Sequence, residues 1–182
     1  MQVEVYPIVP AEWRDAAWRF YCDIFDELKV LAVERHVFHR TEFDDLVTDP
    51  RITKYLVRDG DTVVGMSAMT DDLEALSFVS LEYFAHRWPE HYAQRRILYC
   101  LFVGVHPGPP GKGVFVALQD QMYRRQIAAV DGIAVLDICA HNEGERRLPW
   151  LIESIMVKLA GTARASRLDT QSYWLYEFPA AS

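Results

Sequence analysis

The stretch RRILYCLFVGVHPGPPGKGVF, residues 95–115, joins a long apolar run to the start of a predicted helix. Its first half is rich in aliphatic and aromatic residues, which is typical of a strand buried on both faces. Residues 106–113 then contain three glycines and three prolines, which predicts a tight turn. After the turn, apolar side chains recur at helical spacing at Val114, Leu118 and Met122. The stretch therefore predicts a strand, a turn and a helix.

The turn has some of the properties of a phosphate site. Gly111, Lys112 and Gly113 precede the helix, where backbone N–H groups lack acceptors and the helix dipole attracts anions. The three prolines carry no N–H and stiffen the turn. Neither G-x-x-x-x-G-K-[ST] nor G-x-G-x-x-G fits the spacing of the glycines. The residues alone leave two interpretations open, an anion site and a rigid connection.

The remaining segments predict an α/β (α+β) domain around a mixed sheet. A hairpin is expected over residues 54–69, because two β-rich runs flank the turn sequence Asp59-Gly60-Asp61. Strands are expected at 4–8, 132–140 and 172–178 (SYWLYEF). Helices are expected at 11–28, 34–47, 80–94 with an interruption at Pro89, and 148–161.

Composition excludes several classes of function. The chain has 182 residues, which fits one domain, and its net charge of −7 argues against a broad nucleic-acid-binding face. No apolar stretch is long enough for a membrane span, and the N-terminus lacks the pattern of a secretory signal. The three cysteines lie in apolar segments without zinc-ligand spacing, so we expect free thiols, no metal and a cytoplasmic location.

Two segments together resemble the GNAT superfamily of N-acyltransferases. Residues 105–115 are similar to the family's acyl-CoA loop, V-x-P-x-x-R-G-x-G-[IV]-[GA], which connects a central strand to a helix. AVLDICAHNEGERRL, residues 134–148, resembles the family's next strand and turn, with Asn142 at the usual asparagine. The hairpin with Val64-Gly65 and the closing SYWLYEF also fit, so the resemblance covers about residues 50–178.

The resemblance implies one GNAT-like domain over residues 1–182, with a mixed, mostly antiparallel sheet flanked by helices and splayed between the fourth and fifth strands. It implies acetyl-CoA or another acyl-CoA as co-substrate and a small-molecule amine that attacks the thioester directly in a ternary complex. Many members of the family dimerise, so a homodimer is compatible with it. The residues that it implies for donor binding are Val103, Val105, Gly108, Gly111, Lys112, Gly113, Val114 and Asn142.

Four side chains are candidates for the proton transfers of such a reaction. His141 would end the fifth strand beside the donor, and histidine is the side-chain type best suited to accept a proton near neutral pH, although a structural histidine bonded to a neighbouring carbonyl is the alternative. Tyr99 would point from the long strand into the cleft, where it would act as an acid or hydrogen-bond a water molecule. The alternative is a buried tyrosine of the core. Glu82 and His86 would share one helix face as a water-mediated base, or lie on an exposed helix that covers the sheet edge.

The chain departs from the family pattern at four positions. Pro110 replaces an arginine or glutamine, and Phe115 replaces a small residue of the loop. Pro149 stands where many members have a tyrosine, and Leu101 occupies a common position of the base. Three alternatives follow from these departures: a non-catalytic or regulatory acyl-CoA-binding domain, an acyltransferase with a carrier-protein or aminoacyl donor, and an interaction domain without a cofactor.

Overall fold

A computed structural model of the chain describes residues 2–33 and 37–177, which form a five-stranded mixed sheet flanked by helices. The strands lie side by side in chain order, and all neighbours are antiparallel except the fourth and fifth, which are parallel. This confirms the predicted fold class. The strands are β1 (Val3–Tyr6), β2 (Thr53–Asp59), β3 (Thr62–Thr70), β4 (Ile97–Val105) and β5 (Ile133–Val135).

The helices lie before, between and after the strands. The predicted interruption at Pro89 is confirmed, because one helix ends at Arg87 and the next begins at Pro89. The helices are α1 (Ala11–Phe25), α2 (Leu28–Leu31), α3 (Arg40–Thr48), α4 (Leu81–Arg87), α5 (Pro89–Ala93), α6 (Val114–Met122), α7 (Ala128–Val130), α8 (Ala140–Gly144) and α9 (Leu148–Ala160).

Helix α1 covers one face of the sheet with an aromatic cluster. Tyr21 lies at its centre, with ring centroids of Phe25, Phe43 and Phe102 between 4.8 and 5.2 Å away. Rings of this size exclude much water, and tilted or edge-to-face pairs add a specific attraction. The cluster fixes helices α1 and α3 on strand β4, from which Phe102 projects.

Helix α6 covers the opposite face, as its apolar spacing predicts. Val114, Leu118 and Met122 are all buried, at most 2% exposed. The helix starts very close to strand β3, because a methyl group added to Gly65 would lie 2.2 Å from Cγ1 of Val114. The glycine of the hairpin therefore allows the first turn of α6 to rest on the sheet.

A β-bulge interrupts strand β4. Ala68 is opposite Phe102 and Met69 is opposite Cys100, so Leu101 has no register partner on β3. Leu101 and Phe102 consequently pack against the same cluster under α1, although neighbouring residues of a regular strand point to opposite faces. A bulge bends its strand and increases the local twist.

The fifth strand is much shorter than the prediction of 132–140. It pairs with β4 only from Ile97 to Tyr99 and ends at Val135. Strand β4 bends at the bulge two residues after Tyr99, so Leu136 and its successors have no neighbour to pair with. Residues 136–139 form neither helix nor strand, and Ala140–Gly144 forms a helix where a break was expected.

The prediction of a last strand at 172–178 is wrong for residues 172–177, which form neither helix nor strand, and Phe178 lies outside the described residues. The side chains of Trp174, Leu175 and Tyr176 are at least 73% exposed. An apolar run forms a stable strand only beside a partner strand, and within the described residues this segment has none.

The boundaries of two helices also differ from the sequence pattern. The second predicted helix begins at Arg40 rather than at 34, and Glu34, Arg35 and His36 lie outside the described residues. The first helix ends at Phe25, and Leu28 belongs to a separate short turn of helix.

In the part of the chain that the structure covers, no helix is both long and apolar enough to cross a bilayer.

Candidate active site

Strands β4 and β5 separate beyond Tyr99 and leave one edge of β4 open. The N–H of His106 donates to the carbonyl of Val64 on β3, 2.9 Å away. Successive N–H groups of a strand point to alternate sides, so those of Val103 and Val105 point to the open edge. These are two of the residues that the resemblance implies for donor binding. The geometry thus presents their backbone groups where such a ligand would run.

The glycine-rich turn connects this open strand to helix α6. Gly111 is packed so closely against the preceding strand end that a methyl group there would lie 1.8 Å from the carbonyl oxygen of His106. Gly113 is the residue before the helix and has a φ of +80°, in the left-handed region that favours glycine. Lys112 between them is exposed. Gly108 and the prolines lie on the exposed outer side of the turn.

The free amides of the turn lie further along than the sequence suggested. The N–H groups of Gly111 and Lys112 donate to the carbonyls of Gly108 and Pro109 within the turn, at 2.9 and 3.2 Å. The first bond of helix α6 runs from Ala117 N–H to the carbonyl of Gly113. The N–H groups of Val114–Val116 therefore have no acceptor within the helix. They are the groups that could donate hydrogen bonds to an anion bound at this helix end. Sequence inspection missed Phe115 and Val116 in this role.

Asn142 and His141 lie side by side on helix α8, just beyond the separated strands. Within the described part of the chain, Oδ1 of Asn142 is buried and accepts no hydrogen bond. A buried acceptor without a donor costs on the order of 1–3 kcal/mol, so a ligand N–H or O–H placed there would be stabilised. The half-buried imidazole of His141 likewise makes no hydrogen bond to another described residue. Its catalytic role stays a prediction.

Tyr99 lies at the point where the two strands part, and its hydroxyl donates to Oδ1 of Asp137, 2.8 Å away. The tyrosine ring is 5% exposed, and the ring of Phe78 meets it edge to face at 5.7 Å. Asp137 is exposed, and it is the acidic residue of the apolar run that follows β5. Sequence inspection missed it, although a single carboxylate inside GIAVLDICA was a usable signal.

Glu82 and His86 lie on helix α4, and both side chains are exposed. Glu82 accepts a hydrogen bond from the hydroxyl of Ser80, which caps this helix. The helix instead turns Phe84 towards the core beneath Tyr99. Their role as a water-mediated base stays a prediction.

A wide cleft opens between the two separated strands on the side of Tyr99. Its walls include Phe78, Tyr99, Leu101, Asp137 and Trp150, whereas Glu82, His86 and His141 are not among its lining residues. Its volume of about 2310 Å³ is larger than the ~300–1,000 Å³ of ordinary ligand pockets. The chain after α9, residues 162–171, bounds the cleft while remaining mostly exposed. Strand β4 therefore borders the cleft at Tyr99 and Leu101 and leads into the glycine turn after Val105.

Comparison with known proteins gives no match to a family model and none to a curated sequence. Solved structures do match over nearly the whole chain. A ribosomal-protein-alanine N-acetyltransferase from Brucella melitensis biovar Abortus 2308 is 17% identical, with a TM-score of 0.54 over 97% of this chain and 99% of that one. An aminoglycoside acetyltransferase from an uncultured soil metagenomic sample, in complex with sisomicin, is 8% identical, with a TM-score of 0.55 over 97% and 96%.

A third structure is the aminoglycoside antibiotic 6'-N-acetyltransferase from Acinetobacter baumannii, which is 11% identical with a TM-score of 0.55 over 96% of this chain and 99% of that one. At these identities the likeness concerns the fold. It agrees with the mixed sheet, the parallel β4–β5 pair and the helix after the glycine turn. The chain therefore has the GNAT acetyltransferase fold, in a divergent form.

Proposed function

We propose that this chain is an N-acyltransferase that transfers an acyl group, in the first instance acetyl, from a CoA thioester to a small-molecule amine. The observation that carries the proposal is that two backbone features lie on either side of the glycine turn, one on strand β4 and one at the start of helix α6. The open edge of β4 at Val103 and Val105 leads directly into the unpaired amides of Val114–Val116. A thioester with an extended amide-bearing arm and a diphosphate has the matching chemistry at both ends.

The residues present fit an acyl-CoA donor. The amides at the start of α6 would hold the diphosphate, and Lys112 beside them would supply a positive charge. The open edge of β4 would pair with the amide groups of the arm, and Oδ1 of Asn142 could accept from one of its donors. When bound, the donor supplies a thioester carbonyl that an amine can attack.

On the acceptor side the chain must remove a proton from the amine. An ammonium with an ordinary pKa is mostly charged at neutral pH, so it must lose a proton before its nitrogen bonds to the carbonyl carbon. We assign the receiving role to Asp137, directly or through water, with Tyr99 holding the carboxylate by its 2.8 Å hydrogen bond. As the C–N bond forms the C–S bond breaks, and the second proton lost by the nitrogen passes to the departing thiolate, directly or through water.

Titration calorimetry with CoA and acetyl-CoA tests the donor half of this proposal. The wild-type protein should bind both, and Gly113→Asp should weaken binding on the order of 100-fold, because its carboxylate would face the diphosphate at short range. Gly113→Asn is the matched control. Both side chains tolerate a positive φ, and nothing lies within 4 Å of the new Cβ, so the two variants differ mainly in charge.

Release of free CoA from acetyl-CoA in the presence of primary amines tests the catalytic half. Turnover that requires both donor and amine supports the proposal. Binding of acetyl-CoA without turnover by any amine would favour a non-catalytic acyl-CoA-binding domain. If the folded wild-type protein binds neither CoA nor acetyl-CoA, the turn is a rigid connection for these donors, and carrier-protein or aminoacyl donors become the next candidates.

A further inference from the structure

We propose that two exposed ion pairs position helix α8 for donor binding and so tune the affinity of the chain for its acyl donor. The inference rests on the proposed function, because it concerns how the same donor site is held in place. Helix α8 carries Asn142, whose buried Oδ1 accepts no hydrogen bond from another described residue and is available to the donor. A displacement of this helix would therefore remove a contact with the donor.

Apolar packing alone holds this part of the chain weakly. Among the described residues, none from 136 to 150 is buried, and helix α8 itself has only five residues. The residue before the helix, Cys139, packs half-buried against the apolar cluster under helix α1. Segments with few buried apolar contacts open locally at low cost, without unfolding of the whole protein. Helix α8 therefore needs other contacts to stay docked.

Two ion pairs connect helix α8 and the residues just after it to distant parts of the chain. On one side, Glu143 pairs with Arg167, which lies 24 positions later on the wall of the cleft. On the other side, Arg146 pairs with Glu27, which lies between helices α1 and α2 and is 119 positions earlier. The two pairs thus tie α8 to the cleft wall and to the helices that cover the sheet.

The strength of these ion pairs decides which property they affect. The four side chains are between 30% and 62% exposed, and an exposed ion pair changes an equilibrium constant by no more than about fivefold. This is small beside the free energy of global unfolding. It matters for a segment whose docked and undocked states have similar free energies. Since the donor contacts only the docked helix, its apparent affinity falls with the docked fraction.

Calorimetric titration with CoA tests the two pairs through Glu27→Ala and Glu143→Ala. Each variant should raise the Kd for CoA about 2- to 5-fold, and the double variant should raise it about tenfold. Both changes remove a negative charge, so simple attraction of the anionic CoA predicts tighter binding instead. Asp71→Ala is the matched control and should leave the Kd unchanged, because Asp71 forms a similarly exposed ion pair with Arg95 outside α8.

Two further readouts separate positioning from a general loss of structure. In steady-state kinetics the KM for acetyl-CoA should rise while kcat stays the same, because the bound donor keeps α8 docked. In the absence of CoA, the thiol of Cys139 should react faster with iodoacetamide in the double variant than in the wild type. The buried thiol of Cys100 should stay unreactive in both proteins, which shows that the protein remains folded. Peptide mass spectrometry distinguishes the two thiols.

Exchange of the two charges of one pair gives a rescue experiment. Glu27→Arg alone would place two guanidinium groups together and should weaken CoA binding at least as much as Glu27→Ala. Combined with Arg146→Glu, it restores an attractive pair and should return the Kd to within about twofold of the wild-type value. Attraction of CoA by net charge alone would instead make Glu27→Arg the tighter binder.

The outcomes distinguish this inference from the proposed function. If the wild type binds CoA and the double variant binds it equally well, the inference is overturned and the acyltransferase still stands. If the wild type does not bind CoA, the proposed function fails, and the reaction of Cys139 then decides whether the pairs hold α8. Equal alkylation rates of Cys139 in the wild type and the double variant would overturn the tethering of α8 in either case.

Discussion

The two halves of the sheet are built differently. In the closed half, strands β1–β3 pair along nearly their whole length, and helices α1 and α3 cover them with a continuous apolar core. In the open half, which follows β4, strand β5 pairs through three residues and the chain beyond α9 is largely exposed. Strand β4 belongs to both, and its bulge at Leu101 lies at the boundary.

This difference shows where a binding site can form in a sheet. Backbone groups in the closed half are occupied by neighbouring strands, so little remains for a ligand. Beyond the bulge, β4 keeps one paired edge, which holds it in place, and one unpaired edge, which can recognise an extended ligand. The candidate site therefore lies where a well-supported strand loses one partner.

The largest expected effect is on the free energy of unfolding, and it contrasts the core with the tail, the described residues that follow helix α9. Phe43→Ala in the closed half should lower the free energy of unfolding by about 3–5 kcal/mol, because Phe43 is fully buried between Trp18 and Tyr21. Trp174→Ala in the open half should change it by less than about 0.5 kcal/mol, because the ring is 80% exposed. Urea unfolding followed by circular dichroism measures both. A comparable loss for Trp174→Ala would mean that the tail packs on the protein in solution.

An intermediate effect concerns pH and Lys54. This side chain is fully buried in the closed half, where its ammonium donates to the carbonyls of Pro7 and Asp49. Burial lowers the pKa of Lys54 to about 8. Between this value and the unfolded value of about 10.4 the unfolded chain binds more protons, so this group's contribution to stability rises with pH.

The wild-type protein should therefore gain about 2 kcal/mol in unfolding free energy relative to Lys54→Met between pH 7 and pH 9.5. Subtracting the variant removes the titration of all other groups. Denaturant titrations at these two pH values measure the difference. Parallel pH profiles would show that the pKa of Lys54 is not lowered in the folded state.

The last comparison concerns two glycines of opposite character, of which Gly144 should give the smallest effect. Gly65→Ala should cost about 1–3 kcal/mol, because its methyl group would lie 2.2 Å from Val114 and push α6 away from the sheet. It should also weaken CoA binding, because the amides of the first turn would move. Gly144→Ala, with nothing within 4 Å of the new methyl group, should be neutral or stabilise helix α8 by up to about 1 kcal/mol. Thermal unfolding and calorimetry measure both quantities.

Local chemistry made much of the closed half and the glycine turn predictable. The hairpin turns at Gly60, which has a φ of +59°, and helix α6 buries the predicted side chains Val114, Leu118 and Met122. Each of these features depends on residues near one another in the chain. The prolines and glycines of residues 106–113 likewise determine a turn whatever surrounds them.

The open half was less predictable because its structure depends on distant partners. Residues 136–140 have the composition of a strand, but β4 has already bent away from them. Tyr99 and Asp137 are 38 positions apart, and only the parallel pairing of β4 with β5 brings them within 2.8 Å. The sequence pointed to the N–H groups of Gly111 and Lys112, but in the structure these donate to the carbonyls of Gly108 and Pro109. The N–H groups of Phe115 and Val116 are the ones left without an acceptor in the helix.

The amino-acid sequence by itself determined the order of strands and helices as far as α6, the buried face of α6 and the rigid turn before it, because these follow from periodicity and from the backbone preferences of glycine and proline. Only the tertiary structure decided where β4 and β5 part, which amides stay free and which acid meets Tyr99. These depend on the bulge at Leu101 and on contacts between residues far apart in the chain. No local pattern encodes such contacts, since they form only when the sheet is assembled.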